Sequence, residues 1–90
     1  MARYRKKPIE IEAVQFTGDN FAEIQEFTGN LCSRGETYVN PQGYCVTAYF
    51  IRTLQDSVAF FEGDYIIKGT HDCYPCNEKV FIETYERVSE

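Results

Sequence analysis

Closely spaced turn signals in the second half of the chain allow only short segments of regular structure there. Gln55-Asp56, Glu62-Gly63-Asp64 and Gly69–Asp72 each interrupt a β-prone run, because Gly and Asp favour the backbone conformations that turns require. The runs themselves are rich in Tyr, Val, Ile and Phe, which favour strands. The pattern predicts short strands at Tyr44–Leu54, Ser57–Phe61, Tyr65–Lys68 and Cys73-Tyr74.

The first half of the chain predicts one strand and one helix. Apolar and polar residues alternate from Pro8 to Thr17, with one change of phase that indicates a β-bulge or a change of packing partner. Asn20 then supplies an N-cap for a helix over about 20–28, and Gly29 marks its end. The face of this helix that packs on the sheet carries an apolar stripe of Phe21, Ile24 and Phe27.

The remaining segments complete a mixed fold in a single domain, residues 1–90. Residues 30–43 predict a loop with one short edge strand at Glu36–Val39. Asn77 precedes a C-terminal helix over about 78–85, in which Phe81 and Tyr85 share a face. We therefore predict an α+β fold, with one mostly antiparallel sheet of four or five strands, the 20–28 helix on one face and the C-terminal helix at its edge. Residues 1–7 form a basic segment and residues 86–90 a tail.

Charge is distributed unevenly along the chain. Nine basic and 14 acidic residues give a net charge of −5, and four of the nine basic residues lie within the first seven positions. From residue 8 onward, the chain has five basic and 14 acidic residues. An acidic body argues against nucleic acid as a partner, because nucleic-acid-binding domains carry basic patches.

The hydropathy pattern argues against a membrane protein. No apolar run approaches the roughly 20 residues that a membrane-spanning helix needs. Glu10 and Glu12 interrupt the apolar positions after the basic start, so the segment lacks the apolar region of a signal peptide. We expect a cytoplasmic protein, in which thiols stay reduced.

The four cysteines leave three interpretations open. Cys73-Tyr74-Pro75-Cys76 has the spacing of a zinc knuckle or a redox dithiol, and Cys32 and Cys45 could complete a four-thiolate site. Alternatively, all four are small apolar side chains in a reducing compartment. Two ligands of the zinc site would stand singly in the sequence, and the βαβ pattern of thioredoxin-like proteins is missing. We therefore expect no metal, no disulfide and no cofactor.

The sequence also shows little that is typical of a catalytic site. His71, the single histidine, lies next to Asp72 in a predicted turn, where adjacent side chains rarely face one another. No serine or thiol is placed for activation, and the glycines do not form a phosphate-binding loop. We predict that the protein is not an enzyme.

Motifs at both ends of the chain carry a resemblance. The chain opens with Lys6-Lys7-Pro8 and Glu12-Ala13-Val14-Gln15-Phe16-Thr17-Gly18, and closes with Gly63–Gly69, Tyr74-Pro75-Cys76, Phe81 and Thr84-Tyr85-Glu86. In these motifs it resembles a widespread family of small phage and prophage proteins without an assigned biochemical role. It departs from the family at Glu62, where Pro is usual, and at Cys73, where an aromatic residue is expected.

The resemblance implies a non-enzymatic phage accessory protein that acts in a bacterial host cell by binding a host protein, in host takeover or counter-defence. A small-molecule binder that sequesters a nucleotide-like ligand is the first alternative, and a zinc- or thiol-dependent interaction module is the second. Exposed aromatic residues on the sheet also allow a homodimer. The candidate binding residues are Arg5, Lys6, Lys7, Tyr65, Lys68 and Tyr74.

Overall fold

The structure, a computed structural model, describes residues 2–3 and 10–86. This part of the chain forms six strands and two helices. In chain order they are β1 (Glu12–Gln15), α1 (Phe21–Thr28), β2 (Cys32–Val39), β3 (Cys45–Arg52), β4 (Ser57–Phe60), β5 (Tyr65–Lys68), β6 (Cys73–Cys76) and α2 (Glu78–Thr84). No helix among the described residues has the length and apolar character needed to span a membrane.

The strands form two antiparallel sheets of three strands each. Sheet A has the order β1-β5-β6, and sheet B has the order β2-β3-β4. The predicted α+β class is confirmed, but the prediction of one sheet with four or five strands is wrong. The reason lies at the turn between β4 and β5. There Gly63 N–H donates to Phe16 O (2.7 Å) and Phe16 N–H donates to Asp64 O (2.8 Å), so the chain leaves sheet B and pairs with β1.

The hydrophobic core lies between the two sheets and α1. Sheet A and the residue after β1 contribute Ile66, Cys73 and Phe16, sheet B contributes Cys32, Ile51 and Phe60, and α1 contributes Ile24. Phe16 is fully buried, and its ring meets those of Tyr49 and Phe60 edge-on at 4.6 and 5.3 Å between centroids. Each fully buried apolar side chain of this kind stabilises the fold by about 1.5–3 kcal/mol.

Helix α1 buries the face that its apolar spacing predicts. Ile24 is fully buried, and Phe21 and Phe27 pack against the core from its rim. Gly29 ends the helix in the left-handed conformation at φ 72°, which a glycine adopts without strain. Asn20 stands at the N-cap, but its side chain makes no bond to the helix amides. Its Oδ1 instead accepts from Thr17 N–H at 2.9 Å.

The segment predicted as a loop contains an eight-residue strand. β2 pairs antiparallel with β3 along its length, with a bulge between Arg34 and Thr37. Asn40-Pro41-Gln42-Gly43 closes this hairpin: Asn40 Oδ1 accepts from Gln42 N–H and Tyr44 N–H, and Gly43 has φ 89°. The predicted edge strand at Glu36–Val39 is thus the end of a longer one.

Strand β1 is shorter than predicted. It covers Glu12–Gln15 and pairs with β5 without a register shift, so the phase change in the sequence is not a bulge in this ladder. Phe16 follows β1 into the core between the sheets. Pro8 and Ile9 lie outside the described residues.

Helix α2 lies against a face of sheet A, not at its edge. Asn77 caps it as predicted, with Oδ1 accepting from Lys79 N–H at 2.9 Å, and the helix ends at Thr84. Phe81 stacks on Tyr65 with ring centroids 3.9 Å apart and an interplanar angle of 6°. Sheet A therefore has the core on one face and α2 on the other.

Candidate binding surfaces

The predicted binding residues do not form one cluster in the described part of the chain. Arg5, Lys6 and Lys7 lie outside the described residues. Tyr65 and Tyr74 lie on the face of sheet A that α2 covers. Lys68, three residues after Tyr65 on the same strand, lies on the opposite face, because successive side chains in a strand alternate.

The face with Tyr65 and Tyr74 is occupied by aromatic residues of this same chain. Phe81 covers the ring of Tyr65, and Tyr85 lies 5.0 Å from Phe81 between centroids. Burial and a hydrogen bond with Tyr85 raise the pKa of Tyr74. A planar ligand would have to displace Phe81 before it could stack on Tyr65 from that side.

Lys68 is engaged on the core side of sheet A. Its Nζ lies 4.7 Å from the centroid of the Phe27 ring, close enough for a cation–π contact. Glu12 stands directly across from it on β1. Lys68 therefore ties α1 to sheet A and does not face the tyrosines.

A cavity of about 490 Å³ is lined by α2 and its N-cap, through Asn77, Glu78, Lys79, Ile82 and Glu83. All five lining residues are exposed, so the depression is shallow. Two carboxylates against one ammonium make it unfavourable for a phosphate group.

The two thiols of the Cys-X-X-Cys motif point in opposite directions. Cys73 and Cys76 are the first and last residues of β6, and a strand rises about 3.3 Å per residue. Their Cα atoms are therefore about 10 Å apart on an extended strand, whereas a disulfide needs less than about 7 Å. Cys73 enters the core and Cys76 lies beside Tyr65 on the other face.

Burial makes these thiols poor nucleophiles. Desolvation raises the pKa of Cys32, Cys73 and Cys76, which keeps them protonated at neutral pH. Cys45 is exposed, at the far end of the β2–β3 hairpin. Within the described residues, no three side chains of His, Cys, Asp or Glu come together as a metal site.

The His71-Asp72 pair does not form a general base and its orienting partner. His71 is exposed. The carboxylate of Asp72 accepts from the backbone N–H of Leu54 at 3.3 Å, which links the β5–β6 turn to the β3–β4 turn. Asp72 thus serves the contact between the two sheets.

One sheet face carries exposed apolar residues without a covering layer in the described part of the chain. On sheet B, Tyr49, Ile51 and Phe60 face the core, so the alternate positions face outward. We call this surface the outer face; it comprises Ser33, Tyr38, Tyr44, Val46, Ala48, Phe50, Arg52, Ser57 and Ala59, on neighbouring strands. Tyr38, Tyr44 and Phe50 are 47%, 69% and 36% exposed, so three aromatic rings are accessible on it.

The ring of Phe50 on the outer face lies over a glycine. A Cβ at Gly35 would lie 2.5 Å from Cε2 of Phe50, far inside van der Waals contact. The absence of a side chain at Gly35 lets the ring lie across β2 at the bulge. The outer face therefore has a preformed aromatic centre.

The sequence predicted Phe50 on a strand but did not predict the outer face, because only Glu36–Val39 of β2 was predicted as a strand. The signal that would have found it is Asn40-Pro41-Gln42-Gly43. Asn and Pro at the first two positions and Gly at the fourth are typical of a turn between paired strands.

Comparisons with known proteins add no relative: no family model, no curated protein and no solved structure matches this chain.

Proposed function

We propose that this chain is a non-enzymatic binding protein that occupies a partner protein through the outer face of sheet B. The observation that carries the proposal is the outer face itself, where Tyr38, Tyr44 and Phe50 are exposed on adjoining strands. Exposed aromatic side chains on a rigid sheet act as anchors in protein interfaces, because they bury a large area at a small cost in side-chain entropy.

The chemistry of the reactive side chains supports binding over catalysis. The three thiols with raised pKa values are protonated at neutral pH, and Asp72 bonds a backbone amide instead of the imidazole next to it. An enzyme must lower a barrier by several kcal/mol through positioned acids, bases or nucleophiles. The described side chains support association more directly than any of these roles.

The resemblance to phage and prophage proteins supports a bacterial host protein as the partner. In that setting the chain would modulate the host protein by blocking one of its surfaces. Its effect should then rise in proportion to the amount added and reach a limit at a fixed stoichiometry.

Two matched variants, each with one alanine replaced by glutamate, test the outer face. Ala59 lies on the outer face beside Phe50, and Ala22 is an exposed alanine on α1. Ala59→Glu places a charge beside Phe50 within the proposed interface, and Ala22→Glu adds the same charge elsewhere.

We expect wild type and Ala22→Glu to capture the same host protein from bacterial lysate in a fixed ratio and to inhibit or alter it without turnover. Ala59→Glu should lose this capture while unfolding at the same urea concentration as Ala22→Glu. Equal capture by both variants would show that the outer face is not the interface. Turnover of a substrate would refute the non-enzymatic role.

A further inference from the structure

The far end of the β2–β3 hairpin has no charge and no buried residue. We call residues 37–47 the distal arm; its side chains are all exposed or half-buried. Residues 37–51 contain no Asp, Glu, Lys or Arg, although these make up 26% of the chain. Tyr38, Val39 and Tyr44 of the distal arm are 47%, 65% and 69% exposed. Depletion of charge together with exposed aromatic residues is typical of the centre of a protein interface.

The ladder between β2 and β3 shows which backbone groups of the distal arm point outward. Asn40 N–H donates to Tyr44 O at 2.8 Å, which places these two residues at the position of a hydrogen-bonded pair, although Tyr44 N–H donates to the Asn40 side chain. Such pairs alternate with non-hydrogen-bonded ones in an antiparallel ladder. Tyr38 therefore bonds to β3, whereas Thr37 and Val39 direct N–H and C=O away from it. The close approach of the Thr37 and Thr47 hydroxyls, 2.7 Å apart, fits a non-hydrogen-bonded pair.

The edge of β2 that faces away from β3 is open over a short stretch, which is bounded on both sides. Toward the body of the protein, Gln25 of α1 occupies the edge at Cys32: its Oε1 accepts from Cys32 N–H at 3.1 Å and its Nε2 donates to Cys32 O at 2.7 Å. Toward the tip, Pro41 has no N–H to donate. Within residues 10–86, no hydrogen bond reaches the outward backbone groups of Thr37 and Val39.

We propose that a second copy of this chain pairs with β2 here, antiparallel and about a two-fold axis at Tyr38. Thr37 would then stand opposite the partner subunit's Val39, and Val39 opposite the partner subunit's Thr37. Each pair forms two N–H···O bonds, so the axis generates four. The two sheets B become one six-stranded sheet whose two outer faces lie side by side.

Self-complementarity favours a copy of the chain over an unrelated strand. A two-fold axis requires that the same segment serve as both partners, and Thr37 and Val39 present matching donors and acceptors at the required spacing. Glu36 falls opposite the partner subunit's Asn40, so no like charges meet across the axis. The uncharged distal arm also keeps the two acidic bodies apart.

This edge contact and the surface in the proposed function share Tyr38, but a variant on another strand tests target binding alone. Ala59, which tests binding of a host protein, lies on β4, at the other edge of sheet B. Loss of dimerisation and loss of target binding are therefore distinguishable in one set of variants.

Sedimentation equilibrium over a range of protein concentrations tests the dimer. Tyr38→Lys places two ammonium groups opposite one another across the axis, and we expect it to weaken self-association by about tenfold or more. Tyr44→Lys makes the same substitution on β3 of the same hairpin, away from the edge, and serves as the control. We expect it to leave the dissociation constant within about threefold of wild type.

Amide hydrogen exchange gives an independent readout of the same contact. The amides of Thr37 and Val39 should exchange slowly at high protein concentration and rapidly on dilution or in Tyr38→Lys, whereas the Tyr38 amide stays protected throughout. A monomeric mass at every concentration, a dimer that Tyr38→Lys leaves intact, or fast exchange at Thr37 and Val39 in the dimer would each overturn the proposal.

Discussion

The contact between Gln25 and Cys32 offers a direct test of how α1 is held on sheet B. The Gln25 amide replaces a neighbouring strand at this point, with hydrogen bonds of 3.1 and 2.7 Å to the N–H and C=O of Cys32. Cys32 is 6% exposed, so both backbone groups need a partner within the protein. A net contribution of about 0.5–1.5 kcal/mol per hydrogen bond predicts that Gln25→Ala lowers the free energy of unfolding by about 1–3 kcal/mol.

Urea denaturation followed by circular dichroism measures this loss. Glu26→Ala is the matched control, because Glu26 is the next residue on α1 and is exposed; its effect should stay within about 0.5 kcal/mol. If Gln25→Ala is no less stable than Glu26→Ala, the amide does not hold the edge of β2 and the reasoning fails.

A second substitution at the same position separates donor from acceptor. In Gln25→Glu, a carboxylate still accepts from Cys32 N–H but faces the carbonyl oxygen of Cys32 without a proton to donate. Protonation restores that donor, so the folded state raises the pKa of this carboxyl. The stability of the variant should therefore be highest below its unfolded pKa of about 4.3, and fall as the pH rises through the folded pKa. A stability difference from wild type that does not change with pH would contradict this account.

Three further outcomes follow from burial. Ile24 is fully buried, so Ile24→Ala should lower the free energy of unfolding by about 2–5 kcal/mol in urea denaturation. A loss below about 1 kcal/mol would mean that α1 packs on the core through another face. Burial raises the pKa of Asp64, so the stabilisation linked to its protonated form is present below about pH 3.9 and lost as the pH rises through the folded pKa. Asp64→Asn, whose amide oxygen can still accept from Phe61 N–H, should flatten this part of the stability profile, and an unchanged profile would exclude Asp64 as its source. Iodoacetamide at neutral pH should modify exposed Cys45 first, as peptide mapping would show; earlier modification of Cys32 or Cys73 would mean that the core opens.

Local patterns in the sequence were sufficient to predict several elements. The spacing of Phe21, Ile24 and Phe27 and the stop at Gly29 predicted α1 to within a residue of its start. Asn77 predicted the start of α2. The turns at Gln55-Asp56 and Gly69–Asp72 predicted the β3–β4 and β5–β6 hairpins. These signals depend only on residues a few positions apart, which is why sequence alone carries them.

The sequence identified candidate binding residues but not how they are arranged in space. Tyr65, Lys68 and Tyr74 are correctly placed on strands, yet a separation of three residues on β5 puts Lys68 on the face away from Tyr65. The covering of Tyr65 by Phe81 joins residues 16 positions apart. Nothing in the local pattern of either residue indicates that contact.

What only the tertiary structure decided is how the strands are shared between two sheets. β5 follows β4 after a tight turn, and local rules favour pairing them, but β5 lies between β1 and β6. Burial of Phe16 against Phe60 and Tyr49 places β1 in a sheet separate from sheet B, and β5 pairs with β1 there. Likewise, CSRGETYV has little strand propensity of its own and becomes β2 because β3 and Gln25 satisfy its backbone. A strand is stabilised by partners distant in sequence, whereas helices and turns are stabilised by their neighbours. For this reason the sequence predicted the helices and turns, and only the structure shows how the strands pair.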